Sequence, residues 1–165
     1  MHTASPTPHT NAKTEDDFVV PAKNGVLFVL RAAKKAGVKR VVLTSAFGAV
    51  SYGIWKNTPY TEEDWTVLND SVAPYQSSKT ISERTAWDFI QNEGYGMELS
   101  VVNPTTVMGP VLSNDYAYSI QLINTCLMQK CYYYKREGFI FYRMKLFKVH
   151  KNPENNIFRI GILIE

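Results

Sequence analysis

Tyr75 and Lys79 stand four residues apart. On a helix, positions i and i+4 lie on one face, about one turn apart. The spacing therefore sets a phenol beside an ammonium. A nearby positive charge favours the phenolate and lowers the tyrosine pKa. A tyrosine tuned in this way gives a proton to a carbonyl being reduced, or takes one from an alcohol being oxidised. The hydride must come from a cofactor, because no side chain carries one. Ser45, at the end of an earlier apolar run, offers a hydroxyl to hydrogen-bond the substrate oxygen and orient the tyrosine.

The spacing alone is a weak signal, since Tyr52 and Lys56 repeat it. Gly53 and Asn57-Thr58-Pro59 argue against a helix at that second pair. Without context, a surface tyrosine and a solvated lysine is the more ordinary reading of Tyr75 and Lys79. Their setting favours chemistry: a helix start, a serine ending the preceding strand, and a following strand that runs into Asn103-Pro104.

The elements that must position these residues are legible from punctuation. Residues 16–37 read as a helix, with Val26, Leu27, Leu30 and Ala33 at helical spacing. Pro21 fits near its first turn, Lys34 and Lys35 fall in its last turn, and Gly37 supplies the stop. Residues 38–45 form a β-branched run expected to be a buried parallel strand. Gly48 and Gly53 mark loop, and residues 59–69 are polar and acidic with Trp65 as apolar anchor. Pro74 opens a second helix over 75–92, which Gly94 and Gly96 end. Residues 97–102 predict a second strand that stops before Pro104, and Gly109-Pro110 marks a turn. Helix–strand alternation predicts a parallel sheet covered on both faces, with ligands beyond the carboxyl ends of its strands. Ser45 and Pro104 both sit at such ends. Residues 130–147 mix aromatic and basic residues without a period, and residues 157–164 read as a strand or as nothing regular.

The 165 residues suffice for one domain, and 45% apolar with 20% charged residues is ordinary for a globular chain. No apolar run reaches the roughly 18 residues of a membrane helix. Residues 1–17 lack the apolar stretch of a secretory signal, so the expected location is the cytoplasm. Cys126 and Cys131 read as free thiols, and no metal site is expected. The net charge of +3 is uneven. Residues 1–124 hold 10 Lys+Arg against 12 Asp+Glu, and residues 125–165 hold 8 against 3. A basic, aromatic strip hints at nucleic acid, yet it has no platform to present it, so no nucleic-acid partner is expected.

Five stretches in order carry a resemblance. They are Thr3-Ala4-Ser5-Pro6, residues 39–45 (KRVVLTS), residues 61–65 (TEEDW), residues 74–80 (PYQSSKT), and Asn103-Pro104 through Gly109-Pro110. Together, over about residues 1–123, they resemble the extended short-chain dehydrogenases/reductases of the epimerase/dehydratase superfamily. The dihydroflavonol-reductase-like aldehyde and ketone reductases are the most similar group. The resemblance implies a Rossmann-type fold, NADP or NAD as cofactor, and a small carbonyl substrate reduced to an alcohol. It implies that Tyr75 is the acid/base and that Lys79 lowers its pKa and holds the nicotinamide ribose. It also implies that Ala4 and Ser5 line the cofactor and that Pro104 passes near the nicotinamide.

Three departures qualify what is expected. The family commonly reads Thr-Ser-Ser at the active-site strand, with the second serine catalytic; here the run is Thr44-Ser45-Ala46. The hydroxyl role falls to Ser45 or Thr44, though Ser45 is equally well read as a strand-end residue with a structural hydrogen bond. The Gly-rich phosphate loop and the residue that separates NAD from NADP fall outside the sequence, which would begin near the family's fourth strand. Residues 124–165 resemble nothing in the family's substrate-binding part and are expected to be a frameshifted or disordered tail. The expected fold is thus a partial Rossmann-type doubly wound parallel sheet in an α/β chain. The expected function is that of a truncated carbonyl reductase. An inactive remnant without cofactor binding is the alternative. Within the enzyme class, the alternative is a sugar-nucleotide epimerase or dehydratase, which shares the Tyr/Lys pair.

Overall fold

A computed structural model describes residues 1–6, 14–54, 56–105, 144–152 and 157–164. Gly109-Pro110, Cys126, Cys131 and most of the aromatic–basic stretch lie outside the described residues.

Helix α1 spans Asp16–Lys35. Asp16 and Asp17 lie in its first turn and Lys34 and Lys35 in its last, each sign complementing the helix dipole. The stop is a Schellman arrangement: Val38 N–H donates to the Ala33 carbonyl and Gly37 N–H to that of Lys34, both at 3.0 Å. Gly37 takes a φ of 68°, which the absence of Cβ makes inexpensive. Pro21 lies inside the helix, deeper than its expected place in the first turn. Its missing N–H leaves the Asp17 carbonyl without that helical donor.

Strand β1 follows at Arg40–Thr44, and a 3-10 turn at Phe47–Ala49 begins the long loop. Helix α2 spans Pro74–Glu93, with Pro74 in its first turn and Ala73 held extended before the proline ring. Strand β2 spans Glu98–Val102. Strands β3 (Met144–Asn152) and β4 (Ile157–Ile164) complete a four-stranded sheet in the order β1-β2-β4-β3. β1, β2 and β4 are parallel; β3 runs antiparallel to β4. On the far side of β1, His2 adds one parallel bridge at Leu43. Residues 157–164, which local pattern left open, form a strand paired with β2 and β3.

Strand alternation sends Val41, Leu43, Leu99 and Val101 to one face. There they join Val26 and Leu30 of α1 and Ala86 and Phe89 of α2 in one core. Both described helices therefore cover the same face of this Rossmann-type sheet, and the second helical layer expected from the alternation is not among the described residues. The loop after β1 is anchored differently from expectation. Thr66, not Trp65, is the fully buried residue. Its hydroxyl donates to the Gly48 carbonyl at 2.7 Å and accepts from Tyr52 N–H at 3.0 Å. Trp65 instead lies under the Arg84 guanidinium, 4.9 Å from the ring centre.

Leu99 sits at the centre of this core, 1% exposed. Leu99→Ala removes its contacts and leaves a cavity between sheet and helices. It should cost about 2–5 kcal/mol, read as a lower urea midpoint at unchanged slope.

Candidate active site

β1 and β2 end level, with Thr44 opposite Val102. Pairing continues past both ends: Ser45 N–H donates to the Val102 carbonyl at 2.8 Å and Phe47 N–H to the Pro104 carbonyl at 2.9 Å. On the other side, His2 exchanges backbone bonds with Val42 and Thr44, which carries residues 3–5 toward the same edge. Three chain exits thus meet at the carboxyl ends of the strands.

A small open cleft lies there, lined among others by Ala4, Ser5, Thr44, Ser45, Lys79 and Ser82. Four site residues expected from sequence, Ala4, Ser5, Ser45 and Lys79, therefore share one cleft. Tyr75 joins them through Lys79, whose Nζ lies 5.6 Å from the centre of its ring. Pro104 stands apart from this lining, and its carbonyl ties the two strand exits together. Ser45 is 6% exposed, and its Oγ has no hydrogen-bond partner among the described residues. The cleft that Ser45 lines also touches Ala22 and Val26 of α1, on the helix side of the sheet, and the Ser45 Oγ is itself buried. Ala46, where the resembling family commonly has serine, offers no hydroxyl.

The first half of α2 is unusual in what it buries. Ser77, Ser78, Lys79, Thr80, Ser82 and Glu83 are all buried, while Ala86 and Phe89 do the apolar packing further on. Three of the hydroxyls turn back on their own helix: Ser78 Oγ donates to the Tyr75 carbonyl, Thr80 Oγ1 to that of Gln76 and Ser82 Oγ to that of Lys79. Such back-bonding satisfies a buried hydroxyl without a tertiary partner. Lys79 is 7% exposed, and no carboxylate among the described residues pairs with it. Its desolvation lowers its pKa below the ordinary 10.5. The His2 imidazole is also lowered, by burial first and then by the Lys79 charge.

The decoy pair separates. Lys56 forms an ion pair with Asp64, and the Tyr52 hydroxyl accepts from Gln76 Nε2 at 3.3 Å. Two residues that sequence reasoning passed over as site members also belong here. Glu83 accepts from Asn103 Nδ2 at 2.8 Å, and the same nitrogen reaches the Ala46 carbonyl at 3.1 Å. A carboxylate four residues beyond Lys79 and an asparagine at a strand end were the available signals. Among the described residues, no group of three His, Cys, Asp or Glu is placed to hold a metal ion. No described helix is long and apolar enough to cross a membrane.

The Lys79 shift fixes a sign. The unfolded chain holds its proton up to pH 10.5, whereas the folded chain releases it at lower pH. Between the depressed folded value and 10.5 the unfolded state binds more protons, so stability rises with pH. Against Lys79→Met, the parent's urea midpoint should gain as pH climbs through that window and level off above it.

An orphaned buried hydroxyl and a desolvated ammonium at one cleft fit a hydroxyl-rich ligand such as a ribose. In sequence, the chain is similar to known reductases. The cinnamoyl-CoA reductase CAD2 of Medicago truncatula is 37% identical over 135 residues, 75% of this chain and 41% of its own length. The NADPH-dependent methylglyoxal reductase GRE2 of Saccharomyces cerevisiae is 36% identical over 124 residues, 67% of this chain and 36% of its own. The crystal structure of yeast methylglyoxal/isovaleraldehyde reductase Gre2 with NADPH superposes with a TM-score of 0.67 at 26% identity, covering 96% of this chain and 54% of that one. The chain thus spans about 40% of the length of these curated relatives. The profile of the NAD dependent epimerase/dehydratase family matches residues 1–135, further than the motifs quoted above. Matched over most of its length, the chain belongs to the NAD dependent epimerase/dehydratase family.

Proposed function

We propose that this chain is the proton-transfer portion of an NADPH- or NADH-dependent reductase that turns a small carbonyl compound into an alcohol. The observation that carries the reading is the Tyr75–Lys79 pair, with the desolvated ammonium 5.6 Å from the tyrosine ring beside the cleft. Tyr75 gives the proton to the carbonyl oxygen. A cation beside a phenol stabilises the phenolate left behind. Burial reduces the screening of the Lys79 charge by water, and the same desolvation lowers its pKa.

Lys79, Ala4 and Ser5 would hold the nicotinamide ribose side of the cofactor, with Pro104 near the nicotinamide. A reduced nicotinamide, when bound, supplies the hydride. Ser45 contributes a hydroxyl at the same cleft. With alanine at position 46, Tyr75 carries more of the polarisation of the substrate oxygen. The names of the relatives support the carbonyl class, since they act on methylglyoxal and on cinnamoyl-CoA. They favour reduction over sugar-nucleotide epimerisation.

Two measurements on the purified chain test this. NADPH fluorescence should show saturable binding at about micromolar concentration. With methylglyoxal and NADPH, Tyr75→Phe should lower turnover by about a hundredfold or more while NADPH binding persists. Lys79→Ala should impair both. Near-normal turnover in Tyr75→Phe would remove it as proton donor.

A further inference from the structure

Helix α2 buries a carboxylate as well as an ammonium. Glu83 is fully buried, one turn beyond Lys79 and two beyond Tyr75. Its Oε2 accepts from Asn103 Nδ2 at 2.8 Å and its Oε1 from Trp87 Nε1 at 3.3 Å. Asn103 is 8% exposed and is the first residue after β2. An amide nitrogen carries two N–H donors. Asn103 directs its nitrogen at two acceptors: the Glu83 carboxylate and, at 3.1 Å, the Ala46 carbonyl. One side chain therefore bridges α2, the exit of β1 and the exit of β2. The backbone bonds Ser45 to Val102 and Phe47 to Pro104 flank that bridge.

A carboxylate is a poor choice for packing alone. Removing it from water is costly, and an apolar side chain of similar volume would fill the space without that cost. What the carboxylate adds is direction. Hydrogen bonds fix position along and around the helix axis, whereas apolar contacts allow sliding. The helix held in this way carries Tyr75 and Lys79, and the loops held in this way carry Ser45, Ala46 and Pro104.

We propose that Glu83 is a positioning residue: through Asn103 it locks the loops leaving β1 and β2 to the helix that presents Tyr75 and Lys79. The proposal rests on the reading of Tyr75 as proton donor. Without the bridge, residues 45–47 and 103–104 shift against α2, and the substrate oxygen no longer meets the tyrosine hydroxyl in line.

The test uses the purified chain and the variants Glu83→Gln, Glu83→Leu and Asn103→Leu. Its first readout needs no turnover. Amide exchange by NMR should quicken at Phe47 by about tenfold or more in Glu83→Leu and Asn103→Leu, while the amides of β1 and β2 keep their protection. Glu83→Gln retains an amide oxygen that accepts from Asn103, and Phe47 should stay protected. The second readout is methylglyoxal reduction. Glu83→Leu should lower kcat by about tenfold or more with the KM for NADPH little changed, and Glu83→Gln should recover most of it. A folded Glu83→Leu with parental Phe47 exchange or parental kcat overturns the proposal. So does uniform loss of protection across the sheet, which marks Glu83 as core only. If the parent chain binds NADPH but reduces nothing, the functional reading fails, and Phe47 exchange alone decides whether the bridge exists.

Discussion

Thr44 lies opposite Val102, so β1 and β2 stop at the same level. Two parallel strands that end together release two chain segments side by side, and the backbone bonds beyond the ends keep those segments paired for a further turn. His2 brings a third segment along the other side of β1. Residues far apart in the chain, Ala4, Ser5, Ser45 and Asn103, reach one rim because of that shared end. Had the register slipped by one residue, every side chain of β2 would have changed face. Leu99 and Val101 would then have left the core that seats both helices.

Helix α2 divides its work along its length. Its second half packs through Ala86 and Phe89, and its first half buries hydroxyls, an ammonium and a carboxylate. The first half is a thermodynamic burden, because each buried polar group gives up water. Back-bonding relieves the hydroxyls, the Asn103 bridge relieves Glu83, and Lys79 is left desolvated beside the cleft. A desolvated ionisable group lining a cleft is the kind of group that marks a candidate functional site. The apolar burial of the second half offsets the desolvation cost of the first.

Punctuation made the scaffold legible. Gly37, Pro74 and the Gly94–Gly96 turn bracket the helices and strands, the first helix shows an apolar period, and Tyr75–Lys79 stood out by helical spacing together with its setting. What escaped was tertiary. Strand β4 pairs with both β2 and β3, partners that the local pattern of residues 157–164 does not specify. Thr66 is buried by two backbone partners in the loop, while Trp65 looked like the anchor because size is what a sequence displays. Glu83 carries only its helical spacing from Lys79 as a sequence signal. Its role depends on Asn103, twenty residues away, and on the strand between them.

The spacing of Tyr75, Lys79 and Glu83 has a consequence for how such a chain can diverge. Each residue added to or removed from a helix turns everything beyond it by about 100°. A single insertion between Tyr75 and Glu83 would aim one end of that row away from the strand exits, whatever residue was inserted. Substitutions can accumulate on the exposed side of α2, but its length is locked. The loop between the 3-10 turn and Pro74 carries no such phase and can lengthen or shorten away from its Thr66 anchor. Lineages descended from this architecture should therefore record their history as gaps in that loop and as replacements, never gaps, in the first half of the helix.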